Sequence, residues 1–163
     1  MRPAVYDVVG VGNALVDVIS HAGDDFIRSY ELVKGSMTLI DTERALYLYN
    51  RLGTAVEMSG GSAANTMTGV ASFGGRAAYI GKVSDDELGR VFGHDLRAVG
   101  VQFRPGAHDD GTPTGRCIIV VTPDAERTMN TYLGVSSLLC PSDIDQATVA
   151  AGKVLYMEGY LYD

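Results

Sequence analysis

The chain has 163 residues, about one domain's worth, and at that length it can bury a core without disulfides or metal to hold it. With 46% hydrophobic and 20% charged residues it has the mix of an ordinary globular domain, which excludes wholesale disorder, a collagen-like repeat and a coiled coil. The net charge is −7, no basic stripe is visible and Trp is absent, so nucleic acid is not an expected partner, although a phosphate could still bind locally.

Taken in chain order, Val5 to Val11 reads as a buried parallel strand that closes on Gly10-Val11-Gly12. Val16 to Ser20 and Ser36 to Ile40 are short and β-prone, and are expected to pair away from the main sheet. Asp41 is the expected N-cap of a helix with an apolar face of Ala45, Leu46, Leu48, Tyr49 and Leu52, and Gly53 is its expected C′ residue. Ala55 to Ser59 is a strand. Gly60-Gly61 then turns into a helix of small residues that begins at Ser62 and stops at Gly74-Gly75. Arg76 to Val83 is the next strand. Ser84-Asp85-Asp86-Glu87 has the form of a capping box with Ser84 as N-cap. Behind it Leu88, Val91, Phe92, Leu96 and Val99 keep helical period until Gly100. Gly115 to Thr122 and Glu126 to Leu133 flank the Pro123-Asp124-Ala125 turn as two strands. Ser142 is expected to cap a helix to about Ala151, and Lys153 to Leu161 is read as a last strand, central and buried.

Strands alternating with helices predict an α/β fold with a mainly parallel sheet. A central last strand with no helix behind it would leave one face of that sheet open, so the chain reads as a truncated longer protein. Cys117 and Cys140 form no C-x-x-C pair, and His21, His94 and His108 are scattered, so no metal site is expected and both thiols read as free. Met1-Arg2-Pro3-Ala4 lacks a signal-peptide core, and no apolar run reaches the ~18 residues of a membrane span. A cytoplasmic location without a membrane partner is the expectation.

Gly10-Val11-Gly12-Asn13-Ala14-Leu15 lacks the third glycine of a dinucleotide fingerprint, and no GxxxxGK[ST] occurs. Asn13 and Asp17 follow the first strand, where α/β proteins bind ligands, and their donors and acceptors suit a polyhydroxylated molecule. Equally, Asn13 could be a plain turn residue and Asp17 merely solvated. In Gly60-Gly61-Ser62-Ala63-Ala64-Asn65, paired glycines precede a helix whose first amides would face outward with a partial positive charge, with Asn65 one turn in. The bland alternative is a tight turn with an exposed Asn.

GNALVDVI, SGGSAANT, IGKVSDDELGRVF…LRAVGV and PTGRCIIVV…ERT occur in this order between Tyr6 and Tyr162. Together they resemble the N-terminal half of the PfkB, or ribokinase-like, carbohydrate kinase family. The resemblance implies a Rossmann-like α/β domain, a mainly parallel sheet flanked by helices, with a small β-sheet lid. The lid would take roughly residues 17–40 and part of 101–122, and all of 1–163 would be the N-terminal part of one kinase domain. The implied activity is transfer of the γ-phosphoryl group of ATP to a hydroxymethyl group of a nucleoside or sugar.

By position in the resembling motifs, Asp17 would grip sugar hydroxyls with Asn13 beside it. Gly60 and Gly61 would form a hinge between lid and core, and Ser62 and Asn65 would be polar contacts to the sugar. GNALVD, GGSAAN and TGRC resemble the adenosine kinase branch, in which Leu15 and Cys117 would lie near a base and Tyr160 would stack on it. A homodimer through lid strands is compatible with the family. Its DTxGAGD signature, which supplies the anion hole and the catalytic base, does not occur here, and neither does its Mg²⁺-organising NxxE. Ala22-Gly23-Asp24 is a decoy in the expected lid. No catalytic residue is therefore named. The catalytic Asp is expected beyond residue 163, ATP and Mg²⁺ are expected to bind mainly through that second half, and the chain alone is expected to be inactive. The alternative is a non-catalytic sugar- or nucleoside-binding module.

Overall fold

The computed structural model describes residues 4–105 and 111–161. The chain runs β1 (Tyr6–Val11), β2 (Leu15–His21), α1 (Asp24–Ser29), β3 (Met37–Leu39), α2 (Thr42–Tyr49), β4 (Ala55–Gly60), α3 (Ser62–Ser72), β5 (Ala77–Ile80), α4 (Glu87–Ala98) and β6 (Gln102–Phe103). It continues with β7 (Gly115–Val121), β8 (Arg127–Tyr132), α5 (Gln146–Ala150) and β9 (Gly152–Met157), with short 3-10 turns at Gly134–Leu138, Pro141–Asp143 and Gly159–Leu161.

These strands form two sheets. One is parallel throughout, in the order β6-β5-β1-β9. The other is mixed, in the order β3-β8-β7-β2-β4, and has five strands against four among the described residues. The expected α/β architecture with a separate second sheet is present. The second sheet takes β2 and β3, and also β4, the whole of β7 and β8, which lie outside or only partly inside the segments expected for it. Gln102–Phe103, inside the 101–122 range of which part was expected in the lid, pairs with β5 in the parallel sheet. Residues 106–110 of the same segment lie outside the described residues.

The alternation of β2 explains how the two sheets share a core. Val16, Val18 and Ser20 are buried while Leu15, Asp17 and Ile19 are half-buried, so one face packs inward and the other faces a cleft. Val16 and Val18 join α3, α4 and β5 in the main core through Met67, Phe92, Leu96 and Tyr79. Tyr79, Phe92 and Phe103 pack edge and tilt at centroid distances of 5.2–5.7 Å. A second cluster, Val9, Val11, Ala78 and Ile80, fills the opposite face of the parallel sheet under Leu139, Ile144 and Val149.

Several local expectations move. α2 is capped by Asp41, whose carboxylate accepts from Arg44 N, but it ends at Asn50 rather than near Gly53, because Arg51 and Leu52 close tight turns onto Leu48 and Tyr49. Asp86, not Ser84, is the N-cap of α4. The Asp86 carboxylate accepts from Gly89 N, while Ser84 is drawn away to Thr112 O and Thr114 Oγ1. Gly74 and Gly100 end α3 and α4 in left-handed conformation as the sequence suggests. Ser142 lies in a 3-10 turn, and Asp145 caps the short α5. The strand expected over Arg76 to Val83 contracts to β5. The last strand stops at Met157 and lies at the edge of its sheet, not at the centre, with Val154, Leu155, Tyr156 and Met157 exposed.

Candidate functional site

The chain passes between the sheets at four places: from β1 to β2, from β4 to α3, just before β7 and just after β8. A cavity of about 510 Å³ opens beside the first, second and last of these crossings. Asn13, Leu15, Asp17, Gly61, Ser62, Asn65, Cys117 and Tyr160 all line it. Of the residues singled out in the sequence, only Gly60 does not, and it lies directly behind Asp17.

Each side chain has a local reason for its place. Asn13 follows the carboxyl end of β1 and is 6% exposed. The buried Tyr79 hydroxyl donates to Gly12 O at 2.8 Å and holds the preceding residue. Asp17 lies within β2, the strand expected over Val16 to Ser20, opposite Met58 of β4 and Cys117 of β7. Its carboxylate makes no hydrogen bond among the described residues. Burial pushes its carboxyl above the usual carboxylate range, and the Arg127 guanidinium pulls partly the other way.

The two glycines have different tasks. Gly61 has φ +89°, a left-handed conformation, and a Cβ there would meet Asn13 O at 2.5 Å. Gly60 has no such φ, but a Cβ would come 2.6 Å from Asp17 Oδ2 and closer still to Oδ1 and Cγ. Gly61 shapes the chain, whereas Gly60 leaves room for the carboxylate.

The opposite wall is apolar. Met37, Leu39, Ile119 and Met129 of the mixed sheet face the cavity together with Leu15 and with Leu133, just after β8. Cys117 is buried among them, and burial pushes its thiol up to about 11 while Thr131 Oγ1 donates to its sulfur at 3.2 Å. Tyr160 stands at the rim and is 74% exposed. Arg127 is the cation among the described lining residues, and it is exposed.

Sequence reasoning missed Glu158. It follows β9, is 6% exposed, and fastens two crossings at once. Oε1 accepts from Asn13 N at 2.6 Å, and Oε2 accepts from Ser62 Oγ at 2.6 Å and Ala63 N at 3.1 Å. The first amides of α3 were expected to face outward with a partial positive charge, and one of them, Ala63 N, is held by this carboxylate. The available signal was an acidic residue at the carboxyl end of a parallel strand, the rule that found Asn13. A second carboxylate does similar work on the far side. Asp86 accepts from Thr114 N at 2.8 Å and Thr114 Oγ1 at 2.7 Å, and so ties the root of β7 to α4.

The model of the pfkB family of carbohydrate kinases matches residues 32–163. Adenosine kinase from Sinorhizobium meliloti superposes with a TM-score of 0.90 at 54% identity, over 98% of this chain and 49% of that one. A probable sugar kinase from Rhizobium etli CFN 42 gives 0.91 at 51% identity, over 98% and 48%. Probable fructokinase-3 of Arabidopsis thaliana is 32% identical over 99 residues, 60% of this chain and 29% of that protein. The chain thus spans about half the length of these solved structures and about a third of the curated relatives it matches.

Proposed function

The chain belongs to the pfkB family of carbohydrate kinases, and from that premise we propose that it forms the acceptor-binding part of an ATP-dependent nucleoside kinase acting on an adenosine-like nucleoside in the cytoplasm. The two-natured cavity carries this reading. Asn13, Asp17, Ser62 and Asn65 gather at one pole, where they would hold ribose hydroxyls. Leu15, Ile119, Met129 and Leu133 offer an apolar slot for a flat base, with Cys117 beside it and Tyr160 over its face. A free sugar, hydroxylated all round, would leave that wall without a partner. The mixed sheet would act as the lid that excludes water, with Gly61 at its root.

The phosphoryl donor we propose is ATP with Mg²⁺. The described residues do not fit that group. Among them no cluster of three His, Cys, Asp or Glu side chains could hold a metal ion, and at the helix N-terminus beside the cavity the Glu158 carboxylate, itself an anion, already holds Ala63 N. No phosphoryl-transfer step is assigned to these residues. Their part is to bind and orient the acceptor, which in phosphoryl transfer is a large share of the catalysis.

Calorimetry of the chain with adenosine, ribose and fructose tests the reading, together with ADP release from MgATP. Adenosine is expected to bind tightest, with ADP release at background. Tighter binding of fructose would move the assignment to a sugar, in line with the fructokinase similarity. Adenosine-dependent ADP release would show that the chain carries its own catalytic groups. Binding of none of the three would overturn the proposal.

A further inference from the structure

We infer that Asp86, which does not itself line the cavity, is a positioning residue for the apolar wall: through Thr114 it holds β7 at a fixed distance from the polar pole, and so sets how strongly a base is preferred over a bare sugar. The inference rests on the acceptor site proposed above and adds what keeps its base-facing half in place.

The two halves of the cavity hang on different supports. Asn13 and Ser62, at the polar pole, are fastened by Glu158. Cys117 and Ile119 of β7, on the apolar wall, follow a chain that enters the mixed sheet at Thr114. Asp86 grips that entry. Oδ2 accepts from Thr114 N at 2.8 Å, and Oδ1 accepts from Thr114 Oγ1 at 2.7 Å and from Gly89 N at 2.8 Å. Thr114 is fully buried, and its hydroxyl oxygen also accepts from Ser84 N at 3.0 Å. Gly89 permits the approach, because a Cβ there would meet Thr114 Oγ1 at 3.1 Å and run into Ser84 O.

One tie serves two strands. Val135 N donates to Pro113 O at 3.0 Å, so the exit from β8 lies against the entry to β7. A Cβ on Gly115 would meet Leu15 Cδ2 at 2.6 Å and the Leu133 carbonyl, so two residues of the apolar wall flank the same root. Fixing Thr114 therefore fixes where β7 starts and where β8 ends.

Without the tie the mixed sheet is held at β2 and β4, and it tilts about that edge. β8 stands two strand spacings from β2, about 10 Å, so a tilt of roughly 6° carries Met129 about 1 Å from the pole. A gap of about 0.5–1 Å forfeits a quarter to a half of a van der Waals contact. A flat base resting on that wall loses its contacts, whereas a sugar held at the pole keeps its own.

Asp86→Ser tests this, because serine still caps α4 but its single oxygen cannot serve Thr114 as well. Two readouts are taken on the whole chain: its affinities for adenosine and ribose, and the rate at which a thiol reagent labels Cys117 without ligand. Adenosine affinity is expected to fall about tenfold, with ribose within about twofold of wild type. Labelling of Cys117 is expected to quicken about fivefold or more. Thr114→Val keeps the shape of threonine without its hydroxyl and should shift both readouts the same way; Thr114→Ser restores the hydroxyl and should return them toward wild type. Val101→Ala, in the main core and outside the tie, controls for lost stability. Labelling of Cys117 in Asp86→Ser no faster than in Val101→Ala, each at the same interval below its own melting temperature, overturns the inference. An unchanged ratio of adenosine to ribose affinity in Asp86→Ser also overturns it and leaves the nucleoside assignment standing. If wild type binds neither adenosine nor ribose, the assignment fails and the preference for a base goes with it, while the labelling rates still decide whether Asp86 holds the wall.

Discussion

Gly60→Ala separates a glycine kept for its backbone from one kept for its neighbour. Its φ is outside the left-handed region, so alanine fits the chain. The added Cβ would lie 2.6 Å from Asp17 Oδ2, with Oδ1 and Cγ nearer still. Non-bonded carbon contacts settle at about 3.5–4.0 Å, so the carboxylate must retreat by roughly 1 Å. Hydrogen bonds made at about 2.7–3.0 Å do not survive that displacement. A bond to a charged group contributes about 1.5–3 kcal/mol, and each 1.4 kcal/mol is about tenfold in affinity, so the loss of one such bond weakens adenosine binding by roughly 10- to 150-fold. The cost to folding is smaller. Overpacking takes about 1–3 kcal/mol, and the lower entropy of the unfolded alanine chain returns about 0.4–1 kcal/mol.

The assay is calorimetry with adenosine alongside thermal denaturation, with Gly53→Ala as control, because nothing lies within 4 Å of a Cβ built there. Gly53→Ala should leave binding unchanged and stability unchanged or slightly raised. Asp17→Ala completes the set. If Asp17→Ala loses adenosine while Gly60→Ala binds it within about twofold of wild type, Gly60 does not set the position of the carboxylate and the steric reasoning is wrong.

Burial raises the Asp17 carboxyl, so the folded state holds that proton more tightly than the unfolded one. Its contribution to stability is therefore greatest in acid and declines as pH rises from the ordinary carboxylate range through the raised value. Asp17→Asn should melt higher than wild type at neutral pH, with the gap closing well below the carboxylate range; a gap of constant size across pH would contradict this origin. Phe92 is fully buried between Tyr79 and Phe103, so Phe92→Ala should cost about 3–5 kcal/mol in urea denaturation, and a cost below about 1 kcal/mol would mean the cluster repacks freely. Cys140 is exposed and Cys117 buried with its thiol pushed up to about 11, so mass spectrometry after brief thiol labelling should find Cys140 modified and Cys117 intact; equal rates would refute the burial argument.

The polar pole of the cavity was legible because each of its parts obeys a local rule. Asn13 follows a strand that ends in glycines, and Ser62 and Asn65 open a helix behind a glycine pair. The helix α4 was legible from its apolar period, yet its start was misplaced. Ser84 and Asp86 are both good caps, and the choice between them is made by Thr114, 28 residues away from Asp86. The same kind of distance hid Glu158, whose partners lie 145 and 96 residues earlier in the chain. Strand membership failed for a related reason. β4 and β8 read as ordinary strands, and nothing in their own residues says which sheet they join. Met37, Leu39 and Met129 sit in segments legible only as strands, because apolar character does not tell a packed face from an open one.

Two kinds of acidic residue meet at this cavity, and their hydrogen bonds tell them apart. Where the chain leaves one sheet for the other, backbone N–H groups drop out of the ladder and need acceptors. Glu158 serves Asn13 and Ala63, and Asp86 serves Gly89 and Thr114, so these carboxylates are saturated and stabilise the crossings. Asp17 satisfies no backbone group and is held partly desolvated beside an apolar wall, a position that costs stability unless a ligand supplies the missing donors. Removing a saturated carboxylate should therefore lower stability and scramble the site together, whereas removing Asp17 should raise stability and abolish binding. That opposition in sign, read from one pair of melting and binding measurements, distinguishes a carboxylate that builds the site from one that uses it.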